Sequence, residues 1–172
     1  MIEELKYRKV DLQRDAAALL NYVKASEFYH HEFLPSQFKS VQDFEGYLKS
    51  KLKFFFHDFY IITTRDGTPV GFAYAFDYRV YDGHCKICVK AMNDQYDKKV
   101  SEWIEQFCSI LFRSYPLHKL FFSALASEES YIDVYLRAGF TQECELPEYV
   151  FYHGRYQDLL VFGKEREQMI DD

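Results

Sequence analysis

Two Asp-Gly pairs, Asp66-Gly67 and Asp82-Gly83, separate three runs of β-branched and aromatic residues in the middle of the chain. Asp-Gly is a strong signal for a tight hairpin turn because glycine adopts positive φ without a steric penalty. The runs 59–64, 70–81 and 84–91 are therefore predicted to be consecutive antiparallel strands. Such a meander has to bury one or both of its faces against helices or against a second sheet.

Segments with helical spacing lie on both sides of this meander. Asp11 precedes the first of them and is a predicted N-cap, and Gly139 ends the last. The predicted helices cover residues 11–24, 40–53, 97–112 and 128–137. The remaining predicted strands cover residues 6–10, 117–125, 140–152 and 156–163. In chain order these elements predict an α/β (α+β) fold with a mixed, mostly antiparallel central sheet flanked by helices.

Length and charge limit the classes of function. A chain of 172 residues with 48% apolar residues has the size of one ordinary domain, so residues 1–172 are predicted to form a single domain. No run of 18 apolar residues is present, and the first four residues, Met-Ile-Glu-Glu, carry two acidic side chains and start no apolar signal segment, so we expect a cytoplasmic protein without a membrane partner. A net charge of −6 disfavours nucleic acid as a partner and favours a cationic acceptor such as an amine.

The cysteines and aromatic residues carry little chemistry by themselves. Four cysteines occupy positions 85, 88, 108 and 144, and in a cytoplasmic chain they are expected to be free thiols. Cys85 and Cys88 form a C-x-x-C, but residues three apart on a strand point to opposite faces, so no metal site is predicted. The 17 Phe and 15 Tyr predict an aromatic core; an aromatic-walled pocket is compatible with the same composition.

The last third of the chain carries two short motifs. A helical run ends at Ala138-Gly139-Phe140, and a final strand with the pattern Y-x-D-x-x-x-F begins at Tyr156. This pair resembles the C-terminal half of the GCN5-related N-acetyltransferases (GNAT superfamily), in particular the branch with the ribosomal-protein alanine acetyltransferases. The predicted element order matches that family over nearly the full length. The resemblance implies a GNAT-like acyl-CoA N-acyltransferase fold, and transfer of an acetyl group from acetyl-CoA, as co-substrate, to a primary amine of a small molecule or protein.

The same resemblance implies where acetyl-CoA would bind. The strand at 84–91 would offer backbone groups to the pantetheine arm, at Val89 and Ala91. The family's pyrophosphate loop, Q/R-x-x-G-x-G/A, corresponds to Gln95, Tyr96, Asp97, Lys98, Lys99 and Val100. Gln95 fits the pattern, whereas Lys98 stands where glycine is expected and Val100 where a small residue is expected. If the loop required left-handed backbone at these positions, each side chain would cost about 1–2 kcal/mol. Lys98 and Lys99 would instead bring positive charge to the phosphates.

The resemblance also implies catalytic groups. Tyr135 lies four residues before Gly139, where the family places the phenol that protonates the departing thiolate. Glu32 is the predicted base that takes a proton from the amine, and Asp77 and His84 are alternatives. Glu128 and Tyr131 replace the Asn and Ser that family members often place earlier on this helix. These departures leave open an alternative function, a GNAT-fold binding or regulatory module without acetyl-CoA turnover. A monomer and a homodimer are both compatible with the sequence.

Overall fold

The computed structural model describes residues 5–26, 38–54 and 56–166 of the chain. Its helices are α1 Leu12–Ala25, α2 Val41–Phe54, α3 Val100–Ser114 and α4 Glu129–Arg137, and a 3-10 helix, Asp94–Lys99, leads into α3. Its strands are β1 Lys6–Lys9, β2 Phe56–Thr63, β3 Pro69–Arg79, β4 His84–Ala91, β5 Lys119–Leu125, β6 Thr141–Tyr152 and β7 Arg155–Glu165.

These strands form one sheet in the order β1-β2-β3-β4-β5-β7-β6. The pairs β1–β2, β2–β3, β5–β7 and β6–β7 are antiparallel, and β4–β5 is parallel. A mixed, mostly antiparallel sheet with four helices confirms the predicted fold class. The predicted order of helices and strands is also confirmed, with the 3-10 helix as an addition.

The chain divides into two compact units. The first unit contains residues 1–76 and 89–97, and the second contains residues 77–88 and 98–172. The division falls within β3, within β4 and within the 3-10 helix. The prediction of a single domain over residues 1–172 stays a prediction.

In the first unit, α1 starts where the sequence predicts. Asp11 is its N-cap, and the Asp11 carboxylate accepts the backbone N–H of Gln13 at 3.1 Å. Arg8 on β1 forms two hydrogen bonds, of 2.7 and 2.6 Å, with the buried Asp15 carboxylate, so the charge of Asp15 is compensated. The core of this unit is aliphatic and aromatic: its fully buried residues include Leu19, Leu20, Phe44, Leu48, Ile61, Ile62, Phe72 and Tyr74.

In the second unit, α3 presents the apolar stripe that the sequence predicts, with Trp103, Ile104, Phe107 and Leu111 buried. Gly83 has φ +69°, and its carbonyl accepts the N–H groups of His118 at 2.5 Å and Lys119 at 3.1 Å. The predicted turn at Asp82-Gly83 is therefore also hydrogen-bonded to the start of β5.

All four cysteines are free thiols, and burial raises the pKa of Cys85 and of Cys108 to about 12, which makes both poor nucleophiles. Among the residues that the structure describes, no group of three or more His, Cys, Asp or Glu side chains is arranged to hold a metal. Over these same segments, none of the helices has the length and apolarity needed to cross a bilayer.

Candidate functional site

Tyr135 lies on α4 in the second unit and is completely buried. Its ring stacks on Phe122 of β5 with centroids 3.6 Å apart, and it forms a T-shaped contact with Phe140 at a centroid distance of 5.3 Å. Phe122 in turn stacks on Phe162 of β7 at 4.7 Å. We call Phe122, Tyr131, Tyr135, Phe140 and Phe162 the aromatic cluster. It fixes the predicted acid in one position within the core of this unit.

Tyr131 precedes Tyr135 by one helical turn, so both side chains lie on the same face of α4. The two hydroxyl oxygens are 3.1 Å apart, and the Tyr131 oxygen is 3.5 Å from Cys88 Sγ on β4. Burial raises the pKa of Tyr131 well above its ordinary value, and the neighbouring Cys88 and Tyr135 act in the same direction. Tyr131 is therefore a neutral phenol over the whole physiological pH range.

These hydroxyls lie beside the end of the β4–β5 pairing. The parallel register joins His84, Cys85 and Lys86 to Lys119, Leu120 and Phe121. Cys88 lies two residues beyond the last paired residue of β4, and Phe122 is the first residue beyond the paired part of β5. The phenols thus lie beside the residues at which the β4–β5 register ends.

The C-terminal motifs have structural explanations. Gly139 follows α4 with φ +84°, a left-handed conformation that glycine adopts without strain. Lys164 Nζ donates a 2.6 Å hydrogen bond to the carbonyl of Ala138 at the helix end. Asp158 of the Y-x-D pattern accepts the backbone N–H of Glu148 at 2.8 Å, and Glu148 has φ +48° at an irregularity in β6. Asp158 therefore stabilises a bend in the neighbouring strand.

The first part of the predicted acetyl-CoA site lies in the first unit. Val89 is fully buried and Ala91 half-buried at the end of β4, where the N–H of Met92 donates to the carbonyl of Val70 at 2.8 Å. Gln95 is exposed and Tyr96 buried. A cavity of about 360 Å³ opens beside them; its lining residues are Thr64, Arg65, Asp66, Thr68, Pro69, Val70, Asn93, Gln95 and Tyr96. Sequence reasoning did not bring the 64–70 turn next to residues 93–96, because the two segments are distant in the chain.

The 94–100 segment adopts no left-handed backbone. Among the described residues with positive φ, the non-glycine ones are Asp77, Glu148 and His153. Asn93 starts the 3-10 helix because its side-chain oxygen accepts the N–H of Gln95 and its carbonyl accepts the N–H of Tyr96, both at 3.0 Å. The glycine of the family pattern is therefore not needed for backbone conformation here.

The side chains of this segment differ in exposure. Within the second unit, Val100 is 4% exposed on the buried face of α3, Lys98 is exposed and Lys99 is half-buried. Lys99 is the N-cap of α3 and forms no side-chain capping bond. In the first unit, burial raises the pKa of Asp97, and the charge of Asp94 adds to that shift. Val100 is thus a core residue, and the lysines bring positive charge to the positive end of a helix dipole.

The candidate bases are less well defined. Glu32 lies outside the described residues. Asp77, with φ +50°, is paired with Arg79 at 3.1 Å and Lys86 at 3.3 Å in the second unit. Burial acts to raise the pKa of Asp77, but the bonds and charges of Lys86 and Arg79 outweigh it and hold the pKa below its ordinary value. Asp77 is therefore a weak base. The His84 ring meets Phe121 edge to face at 5.4 Å.

Glu128, which departs from the family pattern, has a local role. Its carboxylate accepts the backbone N–H of Leu125 at 2.9 Å, just before α4 begins. The hydroxyl pair formed by Tyr131 was missed from the sequence, although the i, i+4 spacing of two tyrosines was the signal that could have indicated it.

No protein-family model and no curated protein matches the chain. Solved structures do. A point mutant of the spermidine N-acetyltransferase SpeG from Vibrio cholerae matches with a TM-score of 0.82 and 15% identity, covering 97% of this chain and 96% of that one. A chimera of Vibrio cholerae SpeG and hSSAT matches with a TM-score of 0.80 and 17% identity, covering 94% and 95%. RimL, a ribosomal-protein α-N-acetyltransferase in complex with coenzyme A, matches with a TM-score of 0.81 and 14% identity, covering 96% and 95%.

At these identities the matches establish the fold. The chain has the fold of N-acetyltransferases of the GNAT type, over nearly its whole length. This confirms the fold that the Ala138-Gly139-Phe140 and Y-x-D-x-x-x-F motifs implied.

Proposed function

We propose that this protein is an acetyl-CoA-dependent N-acetyltransferase that transfers the acetyl group directly to a primary amine. The observation that carries the proposal is the pair of hydroxyls of Tyr131 and Tyr135, 3.1 Å apart, beside the end of the β4–β5 pairing. Tyr135 is the member of the pair at the position where the GNAT resemblance places the acid. Structural neighbours over 94–97% of the chain that are themselves N-acetyltransferases support the reaction class.

The described residues fit acetyl-CoA in three respects. Segment 94–100 has ordinary negative φ values, so the missing glycines cost no backbone strain. Val100 is buried and does not present its side chain to solvent, while Lys98 and Lys99 offer positive charge. Val89, Ala91 and Gln95 to Val100 would hold the coenzyme, which supplies an acetyl group activated as a thioester.

The proposed roles of acid and base follow from the chemistry of the side chains. The phenol pair supplies the proton that the departing thiolate needs, because a neutral phenol donates a hydrogen bond as negative charge builds on sulfur. A base removes the proton that the amine loses on acylation, and Glu32 remains the predicted base. The pKa of Asp77 lies below its ordinary value, which makes that carboxylate the weaker candidate.

We infer that the acceptor is a small polyamine or the amino terminus of a protein. Spermidine N-acetyltransferase and a ribosomal-protein α-N-acetyltransferase are among the structural neighbours, and a net charge of −6 favours encounter with a cation. Four free thiols are in keeping with a cytoplasmic location, which is part of the same proposal. A monomer or a homodimer is expected.

Thiol release tests this function. The purified protein is mixed with acetyl-CoA and, separately, with spermidine and with a short peptide bearing a free α-amino group. We expect amine-dependent release of coenzyme A above a control without amine, and acetylated amine by mass spectrometry. Tyr135→Phe should lower the rate, whereas Tyr156→Phe, a matched change at an exposed tyrosine of β7, should not. Binding of acetyl-CoA without release with any amine would instead favour the alternative, a binding or regulatory module.

A further inference from the structure

The cavity of about 360 Å³ in the first unit has no role in the function proposed so far. It lies between the β2–β3 turn, at residues 64–70, and residues 93–96 after β4, and its volume is in the range of small-molecule sites. All of its lining residues belong to the same unit as Val89, Ala91 and Gln95, which the proposed function assigns to the coenzyme. Contacts within one compact unit therefore place the cavity beside the coenzyme segment.

The walls of the cavity are fixed by the backbone. The N–H of Thr64 donates to the carbonyl of Thr68 at 3.0 Å, and the N–H of Gly67 donates to the carbonyl of Thr64 at 3.0 Å, which closes the turn. The N–H of Met92 donates to the carbonyl of Val70 at 2.8 Å. This last bond holds the segment after β4 next to the start of β3.

Asp66 presents an oriented carboxylate at this turn. It accepts the backbone N–H of Thr68 at 3.3 Å, the Thr68 hydroxyl at 3.2 Å, and the hydroxyl of Thr64. These bonds, the one from Thr64 most of all, lower the pKa of Asp66, so the group is ionised at neutral pH. Asp66 is also exposed, so its carboxylate can accept a hydroxyl from a bound molecule. In nucleotide sites such carboxylates accept a ribose hydroxyl.

The neighbouring side chains of the cavity are donors. Arg65 is exposed, and a guanidinium binds a phosphate through two parallel hydrogen bonds. Asn93 and Gln95 carry amides on the opposite wall, beside the buried Tyr96. The Asn93 side-chain oxygen accepts the N–H of Gln95, so the NH2 group of Asn93 is the part that can donate to a ligand. A cation, a carboxylate and amide donors together suit a phosphorylated ribose.

Coenzyme A contains such a group next to its pyrophosphate, because its adenosine bears a free 2′-hydroxyl and a 3′-phosphate. Gln95 belongs both to the segment that corresponds to the pyrophosphate motif and to the wall of the cavity. The amine acceptor suits the cavity less well, since it would bring its positive charge next to Arg65.

Resting on the proposed function, we propose that this cavity binds the 3′-phosphorylated ribose of the coenzyme, with Arg65 as the ligand of the phosphate. The GNAT resemblance implies no contact from the β2–β3 turn, so this assignment comes from the residues of this chain. Arg65 is then a specificity-determining residue, because 3′-dephospho-coenzyme A differs from coenzyme A only in lacking that phosphate.

The first test is calorimetric titration with coenzyme A and with 3′-dephospho-coenzyme A at one ionic strength. Wild-type protein should bind coenzyme A about tenfold more tightly, because the dephospho compound lacks one charge-assisted contact. Arg65→Gln should bind coenzyme A about tenfold more weakly than wild type and should bind the two compounds equally. Arg155→Gln is the matched control, with the same change of charge at an exposed arginine that begins β7, and it should keep the wild-type preference.

Two kinds of failure are distinguishable. A preference for coenzyme A that persists in Arg65→Gln, or equal binding of the two compounds by wild-type protein, would overturn this inference and leave the proposed function standing. Wild-type protein that binds neither compound would remove the proposed function and this inference together.

The second test needs no variant. A coenzyme A analogue with an azido group on the adenine is bound to wild-type protein and photolysed, and the labelled peptides are identified by mass spectrometry. Labelling that excess coenzyme A prevents should fall within residues 60–70 or 91–98, which surround the cavity. Such labelling confined to other parts of the chain would place the adenosine elsewhere and overturn the assignment.

Discussion

The aromatic cluster and the 94–100 segment both carry positions of the GNAT motifs, but different forces hold them. The cluster is fixed by ring contacts among five side chains, and each of its rings is at most 9% exposed. The 94–100 segment is fixed mainly by backbone hydrogen bonds that start at Asn93, and most of its side chains face solvent. The cluster therefore depends on its particular side chains, whereas residues that only shape a backbone turn can be replaced when another turn serves.

This difference explains why the loop at residues 94–100 can do without glycine. Glycine is required where φ is positive, as at Gly139 with φ +84°. Segment 94–100 instead forms a 3-10 helix with negative φ values, so Lys98 replaces glycine without strain. The departure from the motif thus reflects a different local conformation, and it is compatible with an acetyl-CoA site whose positive charge comes from lysines.

The largest expected effect is at the centre of the cluster. Phe122→Ala removes a ring that contacts Tyr131, Tyr135, Phe140 and Phe162, so it should lower the free energy of unfolding by about 3–5 kcal/mol in urea titrations. Phe151→Ala, at a phenylalanine of β6 that is 63% exposed, should change it by no more than about 0.5 kcal/mol. Equal losses for the two variants would contradict the account of the cluster.

The next effect concerns the glycine that ends α4. Gly139→Ala places a Cβ on a left-handed residue, 3.3 Å from Lys164 Nζ, and should cost about 1–2 kcal/mol by thermal or urea unfolding. Gly46→Ala is the matched control, because Gly46 lies within α2 and its Cβ would meet no atom within 4 Å. That control should stabilise the protein by about 0.5–1 kcal/mol. A stabilising Gly139→Ala would show that the helix ends differently.

A smaller effect is expected when the family's glycine is restored in the loop. Lys98→Gly should lower the free energy of unfolding by about 0.5–1 kcal/mol, because glycine is more flexible in the unfolded chain and negative φ gives it no advantage. Calorimetric titration with acetyl-CoA should show Lys98→Gly and Lys98→Gln binding equally weakly, since both lose the same charge. Tenfold tighter binding by Lys98→Gly would mean that the site does require a bare backbone.

The smallest effect is at Asp97, whose raised pKa means that the folded state disfavours the charged carboxylate. Such a group destabilises the protein above its unfolded-state pKa and has no effect at lower pH, where it is protonated in both states. Asp97→Asn should therefore raise stability slightly at pH 7, by no more than about 0.5 kcal/mol, and the gain should fade as the pH falls through the carboxyl range. Thermal unfolding at several pH values measures it; a gain that grows on acidification would contradict the shift.

Much of the fold could be predicted from local sequence. The Asp66-Gly67 and Asp82-Gly83 turns, the N-cap Asp11 and the apolar stripe of α3 each depend on residues close together in the chain, and all were found. The start of α3 was predicted three residues early, at Asp97 instead of Val100, because a 3-10 turn has nearly the same local pattern as an α-helical one.

The candidate site was less predictable for a physical reason. The position of Tyr135 followed from its spacing to Gly139, and Tyr131 lies one turn away on the same face of α4. The contact between Tyr131 and Cys88, however, forms only because α4 packs against β4. Val100 is likewise buried because of the face that α3 turns toward the core. Its side chain is therefore not among those that could contact a phosphate. Glu32 stays a prediction, since it lies outside the described residues.

The unfolding temperature of the wild-type protein in increasing acetyl-CoA tests most directly whether this glycine-poor chain binds the coenzyme. A ligand that binds only the folded state stabilises it by about 2.7 kcal/mol at a hundredfold excess over Kd, which corresponds to roughly 5–10 °C for a chain of this size. The account predicts a rise that grows with concentration and is larger than with acetate or adenosine monophosphate. An unchanged midpoint up to millimolar acetyl-CoA would contradict it.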